Sequence, residues 1–349
     1  MAFIHCASGV CVKSELGLLV IPLTQTSIKI SHFMEVAPLA ALYPLVPIEF
    51  YISGSTETYL DLNDTLLYLS CRITKADGTA IAAAAKVTTI AYPVAPLFNH
   101  VDITLGDRLI TQSDNMYAYR AYIESILNYS NDTLDTQLTA GLFYKDTAGS
   151  LESYALDGNN KGFIKSAEYA RSSRTSDLLG HLHADLFFQD KLMVTGVELK
   201  IKLSRNKDAF CLNNDDAEAY KLVIVSASLF IKRVNMSPTV RLSHADTLQV
   251  SNFKYPVERT SLKIFSVPAG SWVASQDSFF LGPLPKIIII DFMNTTAFSG
   301  DYESNPFNFK HYSINNAALF KDGVVIPAKV NNPSFEHKNT IRECDAGNA

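Results

Sequence analysis

Residues 197–204, VELKIKLS, alternate apolar and polar side chains along their whole length. Successive side chains of an extended chain point to opposite sides, so Val197, Leu199, Ile201 and Leu203 share one face and Glu198, Lys200 and Lys202 the other. The segment is a strand with one dry and one wet face. The same period of two recurs elsewhere: Val101, Ile103 and Leu105 alternate with Asp102 and Thr104, and Leu67, Leu69, Cys71 and Ile73 share a face in TLLYLSCRI (65–73). Between residues 222 and 232, Val223, Val225, Ala227, Leu229 and Ile231 form a further apolar row. Ile287, Ile288, Ile289 and Ile290, bounded by Lys286 and Asp291, read as a strand buried on both sides.

Turn chemistry falls where these strands should end. Asp77-Gly78 follows the strand ending near Lys75, and Asp322-Gly323 separates NNAALFK from VVIP as a two-residue hairpin, because Gly and Asp tolerate positive φ. One segment departs from period two: after the N-cap pair Ser113-Asp114, MYAYRAYIESILNYS places Tyr119, Tyr122, Ile123, Ile126 and Leu127 at helical spacing. A shorter helix is expected in TLDTQLTA, and a long loop over residues 145–176, rich in Gly, Ser, Asp, Asn and Arg. Many short strands with one helical insertion indicate an all-β sandwich or jelly roll rather than a βαβ fold. Residues 45–240 hold about eight strand candidates, what one jelly roll needs. They are read as a first jelly roll, preceded by an N-terminal arm (1–44) and followed by a second unit (241–349) with too few strand candidates for a complete barrel.

The chain has 349 residues, 47% hydrophobic and 19% charged, with a net charge of −5. That composition excludes wholesale disorder and lacks the basic field of a protein that coats nucleic acid. The five cysteines, Cys6, Cys11, Cys71, Cys211 and Cys344, form no C-x-x-C pair, so neither a disulfide framework nor a zinc knuckle follows. No signal peptide and no membrane span is read, which makes the N-x-S/T sequons chance matches.

No nucleophile elbow, phosphate-binding loop, H-E-x-x-H or dinucleotide fingerprint occurs, and no catalytic residue or cofactor is assigned. The strongest metal candidate is HLHAD (181–185): on a strand, His181, His183 and Asp185 would line one face and converge on an ion. Cupin sites are similar, with H-x-H followed by Glu, but here Gln189 and Asp190 stand where that Glu is sought. The competing reading is a pair of strand-surface or interface histidines, with His100 and His244 in unrelated contexts. Asp215, Asp216 and Glu218 could chelate a cation, but beside Asn213 and Asn214 they read as a solvated loop. Lys165, Arg171 and Arg174 form the most basic neighbourhood and read as an exposed loop. Trp272, the only tryptophan, is either a sugar-stacking platform or, by default, a core or interface residue.

Several longer strings carry a resemblance: CVKSELGLLVIPLTQTSI (11–28), PIEFYISGSTETYLDLNDTLLYLSCRITKADGT (47–79), LFNHVDITLGDRLITQS (97–113), YRAYIESILNYS (119–130), LTAGLFYKDTAG (138–149), HLHADLFFQDKLM (181–193) and LFKDGVVIP (319–327). They resemble the major capsid proteins of Polinton (Maverick) elements and adintovirus-like viruses. The resemblance implies a double jelly roll, two β-sandwich barrels that form homotrimers with a pseudo-hexagonal outline and tile an icosahedral shell. It implies no enzymatic activity and no cofactor. Its expected partners are other copies of the chain and penton or minor capsid proteins, with no sequence-specific nucleic-acid binding. The expected location is the virion, after intracellular synthesis without secretion. Beyond residue 327 the strings depart from the family, and the second barrel is expected to stop partway. Two alternatives remain: a jelly-roll carbohydrate-binding or domesticated host interaction protein, and a cupin-type metalloenzyme.

Overall fold

The computed structural model describes residues 25–44, 46–54, 57–111, 115–194, 196–216, 218–277, 285–321 and 323–331. The Ser113-Asp114 cap, Asp322, Cys6, Cys11 and Cys344 lie outside the described residues. The chain begins with β1 (Ile28–Val36), β2 (Ile48–Ile52), β3 (Thr58–Lys75), β4 (Val87–Thr89), β5 (Phe98–Leu105) and β6 (Arg108–Leu109). The insertion follows, with helices α1 (Tyr117–Asn128), α2 (Asn131–Asp135) and α3 (Lys161–Ala170). Then come β7 (Ser176–His181), β8 (Met193–Val194), β9 (Leu199–Arg205), α4 (Asp208–Cys211), β10 (Leu212–Asn214) and β11 (Tyr220–Met236). After these stand α5 (Pro238–Val250), α6 (Thr295–Ser299), β12 (Ala317–Lys321) and β13 (Val324–Asn331).

Two antiparallel sheets carry the fold. One runs β1-β11-β3-β7, with short β8 beside β3, and the other β2-β9-β5-β6. Leaving aside β4, β8 and β10, the remaining strands up to β11 follow, in chain order, the sequence 1-8-3-6 in one sheet and 2-7-4-5 in the other. This double Greek-key winding is the jelly roll. Phe50, Leu67, Leu69, Ile103, Leu199, Ile201, Leu203, Leu229 and Ile231 are fully buried in one core cluster. Each such side chain contributes about 1.5–3 kcal/mol through removal of apolar area from water.

The alternation of residues 199–203 is reproduced, with Lys200 and Lys202 exposed, while Val197 falls before the strand and is exposed. In β11 the apolar row is interrupted. The register against β3 shifts between Ile224 and Ser226, so Leu222 is buried and Val225 exposed, with the expected inward set resuming at Ala227. An extra residue at a bulge reverses the parity of everything before it.

Three further expectations are corrected. Residues 28–36 of the expected arm form β1, hydrogen-bonded along β11. An edge strand with both faces largely exposed carries little alternation to read. Residues 145–176 contain α3, which buries Phe163, Ser166, Ala167 and Ala170 and is capped by the Asn160 side chain accepting from the Phe163 N–H. Gly162 hid this helix from a propensity reading; a Cβ there would stand 2.7 Å from Asp146 Oδ1, so close packing demands glycine. Ile287, Ile288, Ile289 and Ile290 are in no described strand and are 38–78% exposed. A doubly buried strand needs neighbours on both edges, and no described segment pairs with this one.

The Asp322-Gly323 hairpin is present: Lys321 pairs with Val324 across the turn, and Gly323 has φ +81°. Gly78 likewise takes φ +87° in the turn after β3. The chain is therefore all-β with a helical insertion, and the described residues after Val250 add α6 and one hairpin to the complete jelly roll.

Candidate functional site

Helix α1 is the hub of the polar interior. Its inner face buries Tyr117, Ala118, Tyr119, Ala121 and Ser125, whereas Ile126 and Leu127, expected on the same apolar face, are exposed. Arg120 and Glu124 are one turn apart and joined at 2.9 Å through Nε and Oε1.

The HLHAD motif meets this helix. β7 ends at His181, opposite Leu66 of β3, and a 3-10 turn over Asp185–Phe187 follows. Leaving the strand destroys the period of two, so the three metal candidates take separate partners. His183 Nδ1 lies 3.1 Å from Glu124 Oε2, and Asp185 Oδ1 lies 2.5 Å from an Arg120 guanidinium nitrogen. The backbone N–H of His183 donates to the Tyr117 hydroxyl at 3.2 Å. His181 stays at the strand end, where burial holds its imidazole below the ordinary range. Among the described residues no three His, Cys, Asp or Glu side chains are grouped to hold a metal ion.

Glu124, His183 and Ser125 reproduce the bonding order of acid, base and hydroxyl nucleophile: Ser125 Oγ lies 3.3 Å from His183 Nε2. The environment gives that order another meaning. Ser125 is 0% exposed and donates its hydroxyl proton to the Ala121 carbonyl at 2.7 Å, and His183 is only 2% exposed. A substrate carbonyl has no approach to Oγ. Burial pushes the Glu124 carboxyl up, but the His183 and Arg120 contacts outweigh it and hold it below the usual carboxylate range. The four side chains act as a clasp that ties α1 to the segment after β7.

His100, which stood apart in sequence, lines a cleft of about 30 Å³ beside the clasp, with Thr111, Tyr117, Arg120, Asp185 and Thr260. Its Nε2 is 2.6 Å from Asp102 Oδ1. The volume suits about one water molecule rather than an organic substrate. His244, also unassigned, stacks on Tyr59 and lies 2.9 Å from its hydroxyl.

The outer face of the clasp is aromatic. Tyr122 stacks on Phe307 with centroids 3.8 Å apart and planes 5° apart, and Tyr119 packs against Phe210, Phe298 and Phe307. Phe298 and Phe307 lie beyond α5, so α1 docks the C-terminal residues onto the jelly roll. Asn305 strengthens the seam by donating to Asp146 Oδ2 at 3.2 Å. Burial pushes the Asp146 carboxyl up to about 6, against the opposing effect of the Asn160 and Asn305 amides.

The other sequence candidates also find structural places. Asp215 pairs with Lys86 at 3.1 Å and Glu218 with Lys75 at 2.8 Å, while Asp216 accepts from the Tyr220 hydroxyl. The acidic run is thus a solvated loop, as read from the sequence, with Asp215 and Glu218 both 53% exposed in surface ion pairs to lysines. Lys165 lies on α3, paired with Glu168 at 2.9 Å, and Arg171 opens the 3-10 turn that follows. Trp272 is 100% exposed, against the expectation of burial. Of the clasp, sequence reading found the histidine side and missed Glu124 and Arg120; their i, i+4 spacing on the wet side of a predicted helix was the available signal.

No protein-family model matches the chain. It is similar to an uncharacterized protein of Caenorhabditis elegans, with 22% identity over 331 residues that cover 92% of this chain and 76% of that protein. Among solved structures it is similar to that of the Sputnik virophage, with TM-score 0.47, 14% identity and coverage of 66% of this chain and 53% of that one. It is also similar to the Faustovirus major capsid protein (TM-score 0.38, 9% identity, 66% and 58% covered) and the mavirus major capsid protein (0.36, 12%, 67% and 53%). The chain spans about half the length of these solved chains.

Proposed function

We propose that this chain is a structural shell protein of the double jelly-roll capsid kind, related to the major capsid proteins of Polinton elements and adintovirus-like viruses. The observation that carries the reading is that the resembling strings fall on the elements of the jelly roll. Residues 47–79 supply β2 and β3, 97–113 supply β5 and β6, 119–130 supply most of α1 with the Arg120 and Glu124 side of the clasp, and 181–193 supply its His183 and Asp185 side. The charged side chains of the clasp, Arg120, Glu124, His183 and Asp185, pair with one another, which suits a scaffold. In this reading three copies form a capsomer with a pseudo-hexagonal outline, capsomers tile an icosahedral shell with penton or minor capsid proteins, and the virion is the chain's location. Residues 241–349 supply a second unit beside the first. The mild net acidity accords with a shell that does not bind DNA through dense basic charge.

Mass measurement and negative-stain imaging of the expressed chain test this reading. Three-chain particles with a pseudo-sixfold outline are expected, and a monodisperse monomer at all concentrations overturns it.

One observation favours a second reading, a carbohydrate-binding jelly roll: the fully exposed Trp272, whose ring is free to stack on a sugar. Glycan-array binding that disappears in Trp272→Ala would support it.

A further inference from the structure

The outer edge of the β1-β11-β3-β7 sheet is strand β1, IKISHFMEV. β1 pairs with β11 on one side, and among the described residues no strand pairs with its other side. An antiparallel edge presents a row of backbone donors and acceptors ready to take another strand. This edge lacks the prolines and bulk of like charge that usually blunt one. Instead it exposes two large apolar side chains, Ile30 at 58% and Phe33 at 52%.

The charges of β1 have a symmetry that says which strand fits. Its only acid, Glu35, and its only fixed cation, Lys29, stand three residues either side of His32. If a second β1 pairs antiparallel with the two-fold axis at His32, Lys29 of each copy faces Glu35 of the other. In the same register Ile30 faces Met34. Opposite positions of an antiparallel pair share a face, so each of these is a direct side-chain contact, and every contact occurs twice. Lys29 is also the extra residue in the register against β11, falling between Ile28, opposite Met236, and Ile30, opposite Asn235. A bulged residue is not committed to the ladder it interrupts.

We propose that the free edge of β1 docks a second copy of this chain through two-fold, antiparallel β1–β1 pairing centred on His32. The choice of partner extends the self-assembly reading above, but the contact is separate from any three-fold capsomer contact. In a shell of trimers it would join neighbouring capsomers. One strand pair is a weak contact alone and gains strength when several act together.

A charge-swap experiment on the full chain tests the pairing. Lys29→Glu places Glu opposite Glu twice, and Glu35→Lys places Lys opposite Lys twice. Each variant alone should lose two-fold association by about tenfold or more in sedimentation velocity. The double variant Lys29→Glu/Glu35→Lys should recover it. So should an equimolar mixture of the two single variants, in which every facing pair is again opposite in charge. Recovery on mixing also shows that neither variant is misfolded. The proposal is overturned if the parent chain shows no two-fold species, if the single variants associate as the parent does, or if mixing restores nothing. Three-chain particles that persist in the single variants leave the capsid reading standing whichever way this result falls, whereas two-fold pairing without three-chain particles supports the edge contact and overturns the capsomer.

Discussion

The jelly roll and the stretch that follows α5 are built from the same kinds of residue and treat them in opposite ways. In β9, Leu199, Ile201 and Leu203 are fully buried because β2 and β5 pair on either side and the facing sheet covers them. Residues 287–290 are more apolar than any part of β9, yet each isoleucine is partly or largely exposed. The attachments of the C-terminal stretch are discrete: Tyr255 takes a hydrogen bond from the Val194 N–H at 3.1 Å, Thr260 N–H donates to Asp185 Oδ1 at 3.3 Å, the Tyr302 hydroxyl donates to the Tyr220 carbonyl at 2.9 Å, the Tyr154 hydroxyl donates to the Glu303 carbonyl at 3.0 Å, Asn305 donates to Asp146, and Phe298 and Phe307 pack on α1. Apolar composition gives a tendency to burial, but burial itself requires partners: Phe307 finds them on α1 and is buried, whereas residues 287–290 are covered by none of the described strands.

Substitutions can break or sharpen that contrast. Phe50→Ala, in the middle of the sandwich, should cost about 4 kcal/mol through lost burial and the cavity left behind, read as a lower urea midpoint. Arg120→Ala comes next, at about 3 kcal/mol, because it leaves the buried Asp185 and Glu124 carboxylates without their cation. Hydrogen exchange should then show faster opening of residues 295–309 as well as of α1, since the clasp holds the helix that receives them.

Asp146, at the seam between the two regions, predicts a pH dependence. Its carboxyl is raised in the folded state, so its favourable contribution is fully present below the unfolded value near 4 and is lost as pH rises through about 6. Stability should therefore fall between about pH 4 and pH 6 by about 2 kcal/mol from this group, and Asp146→Asn should flatten that fall in thermal melts across the range. Smallest of all, Trp272→Ala and Ile288→Ala should change stability by less than about 0.5 kcal/mol. A loss of 2 kcal/mol at Ile288 would place residues 287–290 in a packed core and erase the contrast.

How much of this was legible beforehand depended on whether a residue's role was local. The inward rows of β3, β5 and β9 follow from period two alone, and the Gly78 and Gly323 turns from the need for positive φ. β1 was not legible, because an edge strand exposed on both faces writes no alternation. Nor was the reversal in β11, where one residue's bulge changes which side chains are buried. The clasp was half legible: the His183 and Asp185 pattern stands out, but it points to a shared ion only if a strand continues through it. The 3-10 turn at Asp185–Phe187 ended that periodicity and sent the two side chains to Glu124 and Arg120.

The amino-acid order by itself determined the all-β class, the helical insertion, most of the strands and the two glycine turns, since each depends on steric preference and side-chain direction within a few residues. The tertiary structure alone decided the winding of the two sheets, the burial of α1 beneath the C-terminal aromatic residues and the separation of the three metal candidates. Among the described residues it also left β1 with an edge that no strand pairs. Those outcomes depend on which distant segments meet, and no local periodicity records that choice.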